Sequence, residues 1–395
     1  MSSAIIRASV LFISALPQIS ETVYTPILPA LCKKFGISEE NSEYTISIYL
    51  LAFSFGVLVW GKMSDSFGRK ACVIWGLLCF ILGCLGCVFS QNATQFMCCR
   101  AIQGVGASIG SVLGQVIIRD MFSGKELVKV YAWNGSYTGL LVMIASIFGL
   151  WLGYNFKLVG VFAYLAFVAL LMEIFIRKNM PETHLDNNRN HVKIMRVFKI
   201  MIVDKKVIGF CLLVAGCNGI RFSYLAEAPF CMIETLRIEE RFYYSTFTLI
   251  VLGSFFGGIF TKQIADKVSR KFIIWIGLIL ILFSALFSLS STLFINKIPN
   301  DAMAMCLIIS QSVLSFGHSM VSHTSLSSAL INYTWCTGTA SSIFGFCYYI
   351  IISFLTLCMG FIHNGSLYIM PLYFVFIAIC MIVSYELLIH KENCD

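Results

Sequence analysis

Gly61-Lys-Met-Ser-Asp65-Ser-Phe-Gly68-Arg69-Lys70 is a short charged turn between two apolar runs. Lys262-Gln-Ile-Ala-Asp266-Lys-Val-Ser269-Arg270-Lys271 repeats it 201 positions later, about half the chain away. In both copies an Asp stands four residues before an Arg, and a Lys follows. A unit that recurs at half-length, with membrane-length apolar runs on either side, is the sequence signature of a duplicated transporter bundle with its site near mid-membrane. Gly61 and Gly68 let the first turn reverse tightly. The second copy has Ser269 where the first has Gly68, so its turn is expected to be the weaker of the two.

Outward from these turns, apolar runs bounded by charge or turn residues fall at 5–31, 42–61, 71–90, 95–118, 128–151, 155–176, 207–233, 242–262, 272–293, 302–330, 334–361 and 366–389. A helical span needs about 20 apolar residues. Backbone groups in lipid must be satisfied internally, so these runs are helices, and the ten-residue alternation of a membrane barrel is absent. The first run, with Arg7 as its basic flank, has the look of a signal peptide, but its length and the lack of a cleavage site favour a retained span. The expected fold is an all-α polytopic membrane protein with twelve transmembrane helices in two pseudo-symmetric six-helix bundles, 1–176 and 207–395. Between them lies a hydrophilic linker, 177–206. Within it His191 to Ile202 reads as an amphipathic helix, with Ile194, Phe198 and Ile202 on one face and Lys193, Arg196 and Lys199 on another.

Composition agrees. Of 395 residues 58% are hydrophobic and only 12% charged, which argues against a soluble enzyme, a nucleic-acid binder and a disordered hub. The net charge of +8 is a matter of topology. Twenty of the 28 Lys and Arg lie on the side that holds both termini. Six lie opposite (Lys33, Lys34, Lys157, Arg237, Arg241 and Lys297), and Arg100 and Arg221 lie within spans. The positive-inside rule then makes both termini cytoplasmic. Most of the 16 cysteines sit in apolar runs. Cys84 and Cys87, and the adjacent Cys98 and Cys99, read as small helix side chains and not as a redox or disulfide framework.

The chain resembles the major facilitator superfamily. The 61–70 turn is similar to that family's motif A and 266–271 to its degenerate copy. Arg100-Ala-Ile-Gln103-Gly104-Val-Gly106-Ala-Ser is similar to its motif B, and Pro181-Glu182-Thr183 to the usual end of its sixth span. Ser20-Glu21-Thr-Val-Tyr24-Thr-Pro26-Ile-Leu-Pro29, Arg119-Asp120-Met-Phe and Tyr224-Leu-Ala-Glu227-Ala-Pro229-Phe230 resemble the Bcr/CflA drug-resistance branch. The resemblance implies a proton-coupled exporter of small amphipathic compounds in a bacterial inner membrane. Such a protein works by alternating access as a single chain, with lipid around it and no cofactor. It also implies that Asp65 and Arg69, with Gly61, Gly68 and Lys70, latch neighbouring helices in one access state, and that Asp266, Arg270 and Lys271 repeat the device. From the residues alone, Asp65 is expected near the start of span 3, where a carboxylate suits the helix dipole. Arg69 and Lys70 are expected in the headgroup layer, paired with Asp65 or with lipid phosphate.

A charged side chain at mid-span costs about 2.5–3.5 kcal/mol on the insertion scale and is a functional hypothesis by default. Glu21, Arg100, Arg221 and Glu227 are such residues. Glu21 and Arg100 lie at similar depth, counting along their spans, so they can pair, and Tyr24 shares the Glu21 face. A carboxylate binds protons more tightly when buried and less tightly beside an arginine. Movement that changes the pairing therefore changes proton binding, and the family places coupling at an acidic residue of span 1 and the motif B arginine. Tyr24, Gln103, Arg221, Tyr224 and Glu227 are the expected lining of the substrate cavity, with Glu227 either tuning substrate charge or pairing structurally. Arg221 and Glu227 are six apart and face different sides of one helix. His318 and His323 are about 140° apart around theirs, poorly placed to share a metal, and read as polar packing. Glu173 and Glu386 are expected to reach water. Gly106, Gly110 and Gly114 form a small-residue stripe for close helix contact, with Gly253/Gly257 and Gly149/Gly153 as local echoes.

The chain has no P-loop and no H-E-x-x-H, so neither ATP-driven pumping nor zinc hydrolysis is expected of it. It departs from exporters of the superfamily in one respect. Span 5 has glycines, from Gly135 to Gly153, but 128–156 contains no proline. The Gly- and Pro-rich exporter signature is therefore incomplete, and a proton-coupled importer of a small metabolite stands as the second reading. A receptor or scaffold on the same fold is a third, disfavoured by the retained latch and buried charges.

Overall fold

The computed structural model describes residues 2–24, 27–121, 124–183, 194–264, 267–294 and 298–390. Among them all regular structure is helical. The first half carries α1 (Ser2–Tyr24), α2 (Leu28–Phe35), α3 (Glu39–Phe67), α4 (Arg69–Phe89), α5 (Ala93–Ala107), α6 (Ile109–Met121) and α7 (Gly124–Asn179). A short α8 (Ile194–Met201) follows. The second half carries α9 (Lys205–Pro229), α10 (Glu240–Ile264), α11 (Arg270–Thr292), α12 (Asn300–Ala329), α13 (Thr337–Ile362) and α14 (Ile369–Tyr385). Among the described residues, each of the twelve apolar segments read from the sequence falls largely on helix. Nine helical stretches among the described residues are long and apolar enough to cross a membrane, and Thr138–Gly149 and Thr248–Ile264 are shorter apolar helices.

The segment boundaries are set by local chemistry. Asn92 accepts from the Gln95 amide to start α5, Asp204 from those of Lys206 and Val207 to start α9, and Ser269 from that of Phe272 to start α11. The first segment is one span in the sequence but two helices in the structure, with Pro29 in the first turn of α2. The fourth divides at Ser108, between α5 and α6. Spans 5 and 6 are two helical arms of α7 joined at Lys157, whose φ of 52° and ψ of −141° are not helical. The break expected near Gly153 thus falls four residues later, on a residue with a side chain. In α8, Val197 and Met201 are the buried residues, while Ile202 just beyond it is exposed. The inward face therefore differs from the Ile194–Phe198–Ile202 face expected. The 191–193 part of that reading lies outside the described residues.

The chain divides into two compact units: 1–37, 45–200 and 333–350 in one, and 38–44, 201–332 and 351–395 in the other. In the first, α4 packs on α5 and α7, and α1 on α6 and α7. In the second, α10 and α11 both pack on α12, and α14 on α9 and α11. Helix α4 shows how such helices are solvated. It buries Val73, Leu77 and Phe80, yet exposes Trp75, Leu78, Leu82 and Phe89. A helix that is apolar all round suits lipid on its outer side and protein on its inner side.

Glycines set the closest approaches. A Cβ on Gly106 would lie 2.3 Å from the Phe80 nitrogen of α4, and one on Gly110 would lie 2.2 Å from the Ile13 carbonyl oxygen of α1. In the second unit, a Cβ on Gly253 would meet the Ser312 oxygen of α12 at 2.2 Å. In each case backbone faces backbone, with no flexible side chain to yield. Gly106→Ala is therefore expected to cost about 1–3 kcal/mol, the usual range for overpacking. Gly139→Ala, where an added Cβ meets nothing within 4 Å, is expected to cost little. Thermal unfolding of the two purified variants checks this; equal midpoints would refute it.

Candidate functional site

Two buried charge clusters and one turn account for the polar chemistry predicted from the sequence. The first cluster lies wholly in the first unit. Glu21 and Tyr24 stand one turn apart on α1, Arg100 and Gln103 one turn apart on α5, and Tyr49 on α3. Arg100 Nη2 donates to Glu21 Oε1 at 3.2 Å. The guanidinium carbon lies 4.1 Å from the centre of the Tyr24 ring and 4.3 Å from that of Tyr49, so the cation is stacked on two aromatic faces. Its Nη1 donates to the Gln103 side-chain oxygen, and Gln103 Nε2 in turn donates to Cys84 Sγ at 3.0 Å. The Tyr24 hydroxyl bonds with that of Thr45. Arg100, Gln103 and Tyr24 are fully buried, and Glu21 is 2% exposed. The pairing of Glu21 with Arg100 thus has the geometry its sequence depth implied. Tyr24 and Gln103, read as cavity lining, both contact Arg100.

The turn differs from its sequence reading. Helix α3 runs on to Phe67, so Asp65 lies in its last turns and not at the start of α4. The Asp65 side chain lies outside the described residues. Gly68 is the N-cap of α4, with φ 91° and ψ 160°, a region open chiefly to glycine. With no side chain there, the carboxylate for the helix N-terminus comes from Glu182, which accepts from the Arg69 amide at 2.8 Å and the Lys70 amide at 3.1 Å. Arg69 is buried, its Nε bonded to Asp120 at 2.9 Å and its Nη1 to Ser64 at 2.7 Å. Lys70 Nζ donates to the Arg177 carbonyl at 3.0 Å. A Cβ on Gly61 would collide with Ser342 of α13. The second copy uses other means. Ser269 caps α11 with its own hydroxyl, Arg270 is exposed, and the Lys271 carbonyl accepts from the Tyr385 hydroxyl at 3.3 Å. Asp266 lies outside the described residues.

The second cluster, in the second unit, is only partly legible in the sequence. Glu227 of α9 is 1% exposed and does not stand alone: its carboxylate oxygens lie 2.8 and 3.0 Å from His363 Nδ1. Glu43 Oε1 lies 3.5 Å from the same nitrogen, and Glu39 Oε2 lies 2.9 Å from Nε2. The Cys231 thiol donates to Glu227 at 3.6 Å. Hydrogen bonding to Glu227 holds the His363 imidazole above the usual histidine range, against the opposing effect of burial. Glu39, Glu43 and His363 stand at the ends of apolar segments, where a sequence gives no reason to expect a buried partner. Tyr224 is buried on α9, and its hydroxyl has no hydrogen-bond partner among the described residues. Arg221 is partly exposed on the same helix, and α9 packs on α12, which carries His318 and His323. Glu173 is buried and pairs with Arg177, Nε to Oε1 2.7 Å, so it does not reach water as expected.

Residues 10–356 match the Major Facilitator Superfamily, and the chain belongs to that family of transporters. It is 29% identical over 357 residues to an uncharacterised transporter of Rickettsia felis, covering 88% of this chain and 87% of that one. It is 23% identical to a bicyclomycin resistance protein homologue of Haemophilus influenzae, covering 84% and 83%. With the chloramphenicol resistance protein CraA of Acinetobacter baumannii it shares 24% identity, over 80% and 77% of the two chains. The fold is that of the xylose transporter XylE from E. coli in a partially occluded, inward-open conformation, with a TM-score of 0.76 at 14% identity over 99% of each chain. The protein is thus a multi-pass membrane transporter and not an enzyme.

The turn yields a prediction. Glu182→Ala removes the acceptor for two α4 amides and is expected to cost about 0.5–2 kcal/mol, the range of a lost N-cap. Hydrogen exchange should accelerate at the Arg69 and Lys70 amides, and exchange unchanged there would overturn the capping role.

Proposed function

We propose that the protein exports small amphipathic organic compounds in exchange for protons, by alternating access of two six-helix halves, 1–176 and 207–395, linked by 177–206. The observation that carries this reading is the buried Glu21–Arg100 pair at 3.2 Å. A carboxylate buried beside one arginine is a group whose proton affinity changes when the pairing changes. Glu21 is the proton carrier, Arg100 its switchable partner, and Tyr24 and Gln103 the groups that hold Arg100. Tyr224, with its buried hydroxyl, and Arg221 are the residues offered to substrate. The Arg69–Asp120–Glu182 turn is the latch, with Asp65, and Asp266, Arg270 and Lys271 form its weaker counterpart. The relatives' descriptions as bicyclomycin, chloramphenicol and multidrug resistance proteins favour export. The setting in this reading is a bacterial inner membrane, and the distribution of Lys and Arg supports cytoplasmic termini.

Import of a small metabolite with protons is the second reading. The absence of proline from 128–156 favours it. Everted membrane vesicles holding a preset pH gradient separate the two. Under the export reading, chloramphenicol, bicyclomycin or another compound of that class dissipates the gradient. No proton movement with any compound, together with substrate accumulation in whole cells, would establish import instead. Glu21→Gln is expected to abolish compound-driven proton movement while the protein still reaches the membrane and unfolds at a similar temperature. Unimpaired proton movement in that variant would remove Glu21 from the mechanism.

A further inference from the structure

His363 follows the last turn of α13, Glu227 lies near the end of α9, and Glu39 and Glu43 open α3. One ligand atom each from Glu43, Glu227 and His363 lies within 4.8 Å of the others. The Glu43 and Glu227 side chains are 0% and 1% exposed, and that of His363 is 8% exposed. We propose that His363, Glu227 and Glu43 bind one divalent transition-metal cation of the zinc class, with Glu39 holding the imidazole in position.

The donor set is the argument. Nδ1 of His363 faces three carboxylate oxygens: Oε1 and Oε2 of Glu227 at 3.0 and 2.8 Å, and Oε1 of Glu43 at 3.5 Å. A single proton on that nitrogen can be shared between the two Glu227 oxygens, while Glu43 stands at ion-pair distance only. A divalent cation among them is matched by every one. Zinc takes imidazole nitrogen at about 2.0–2.1 Å and carboxylate oxygen at about 2.0–2.2 Å, commonly with three protein ligands and one open position. Glu39 completes the arrangement from the other side. Its carboxylate, 2.9 Å from Nε2, accepts the N–H of the tautomer that leaves the Nδ1 lone pair free for metal, the carboxylate–histidine–metal relay seen at zinc sites. The nitrogen ligand, the small number of donors and the neighbouring Cys231 thiol favour zinc over magnesium or calcium, which take oxygen shells. Metal bound here ties the start of α3 to the ends of α9 and α13.

Full-length protein, purified in detergent and stripped with chelator, is titrated with Zn2+ by calorimetry and thermal unfolding. The expected result is one Zn2+ per chain and a raised unfolding midpoint. His363→Gln and Glu227→Gln should each weaken binding at least tenfold. Glu39→Gln should weaken it about 10–100-fold, the usual effect of losing an orienting partner. His323→Gln on α12 should leave it unchanged. Undiminished binding in His363→Gln, no binding to the unaltered protein, or equal stabilisation by Mg2+ would overturn the site. Should the variants fail to fold, X-ray absorption at the zinc edge of the unaltered protein decides. A shell of one nitrogen with carboxylate oxygens supports the site, and an all-oxygen or all-sulfur shell refutes it.

Discussion

The guanidinium of Arg100 has no access to water and must be neutralised and solvated entirely by protein. Removing an ion from water carries an effective penalty of several kcal/mol, which one ion pair repays only when geometry is good and remaining hydrogen-bonding groups are satisfied. Here the compensation comes from three helices. Helix α1 brings Glu21 and the Tyr24 ring, α3 brings the Tyr49 ring, and α5 itself brings Gln103. Desolvated cation–π contacts are worth about 2 kcal/mol or more, so the two rings weigh as heavily as the carboxylate. None of this forms unless the helices come close, and motif B supplies the means. Gly104, one turn beyond Arg100, would put a Cβ 2.4 Å from the Tyr49 carbonyl oxygen. A larger residue there would push α3 away and lift Tyr49 off the cation. On the other flank, a Cβ on Gly83 of α4 would strike the backbone of Gln103, and Cys84 beside it accepts from the Gln103 amide. The glycines and the arginine of motif B are therefore one device: the glycines set the helix spacing that the buried cation needs.

The two related turns show how one sequence pattern reaches helix capping by different routes. In the first copy glycine takes a positive φ at the N-cap, gives up the side-chain acceptor, and leaves the amides of Arg69 and Lys70 to a carboxylate more than a hundred residues away. That dependence joins α4 to the segment after α7. Arg69 adds a second link, to Asp120 of α6. In the second copy Ser269 caps its own helix, so no distant partner is required, and Arg270 remains exposed. The exchange of glycine for serine thus moves the cap acceptor from a distant carboxylate to the helix's own N-terminus.

What a sequence can announce depends on how costly a residue is where it stands. Glu21 and Arg100 are legible because a charge deep in an apolar run has few explanations, and a residue count along each helix fixes its depth. The twelve helical segments are legible for a similar reason: lipid leaves the backbone no other choice. Glu39, Glu43 and His363 are not, since charged residues at the ends of spans normally reach water, and only tertiary packing brings these three together. Asp120 and Glu182 stand in family-like motifs that assign them no contact. Their partners, Arg69 and the start of α4, are far away in the chain. The sequence reading ends the second span at Gly61, and the helix runs on six residues to Phe67, which carries Asp65 into α3.

The surroundings of Arg100 also bear on the proposed proton exchange at Glu21. In a static ion pair, neutralising the acid strands a buried cation, and breaking such a pair commonly costs about 3–5 kcal/mol. That cost would oppose protonation and lock the pair. Arg100 is held differently. Two ring faces and the Gln103 oxygen contact it independently of Glu21. The rings lower the free energy of a cation that has lost its carboxylate partner. A transporter needs both states within reach of a modest change in environment, because an equilibrium can be shifted only by the difference in interaction between its two states. Under the proposed exchange, an aromatic sandwich that contacts the cation independently of Glu21 suits a carboxylate that gains and loses a proton better than an ion pair alone would.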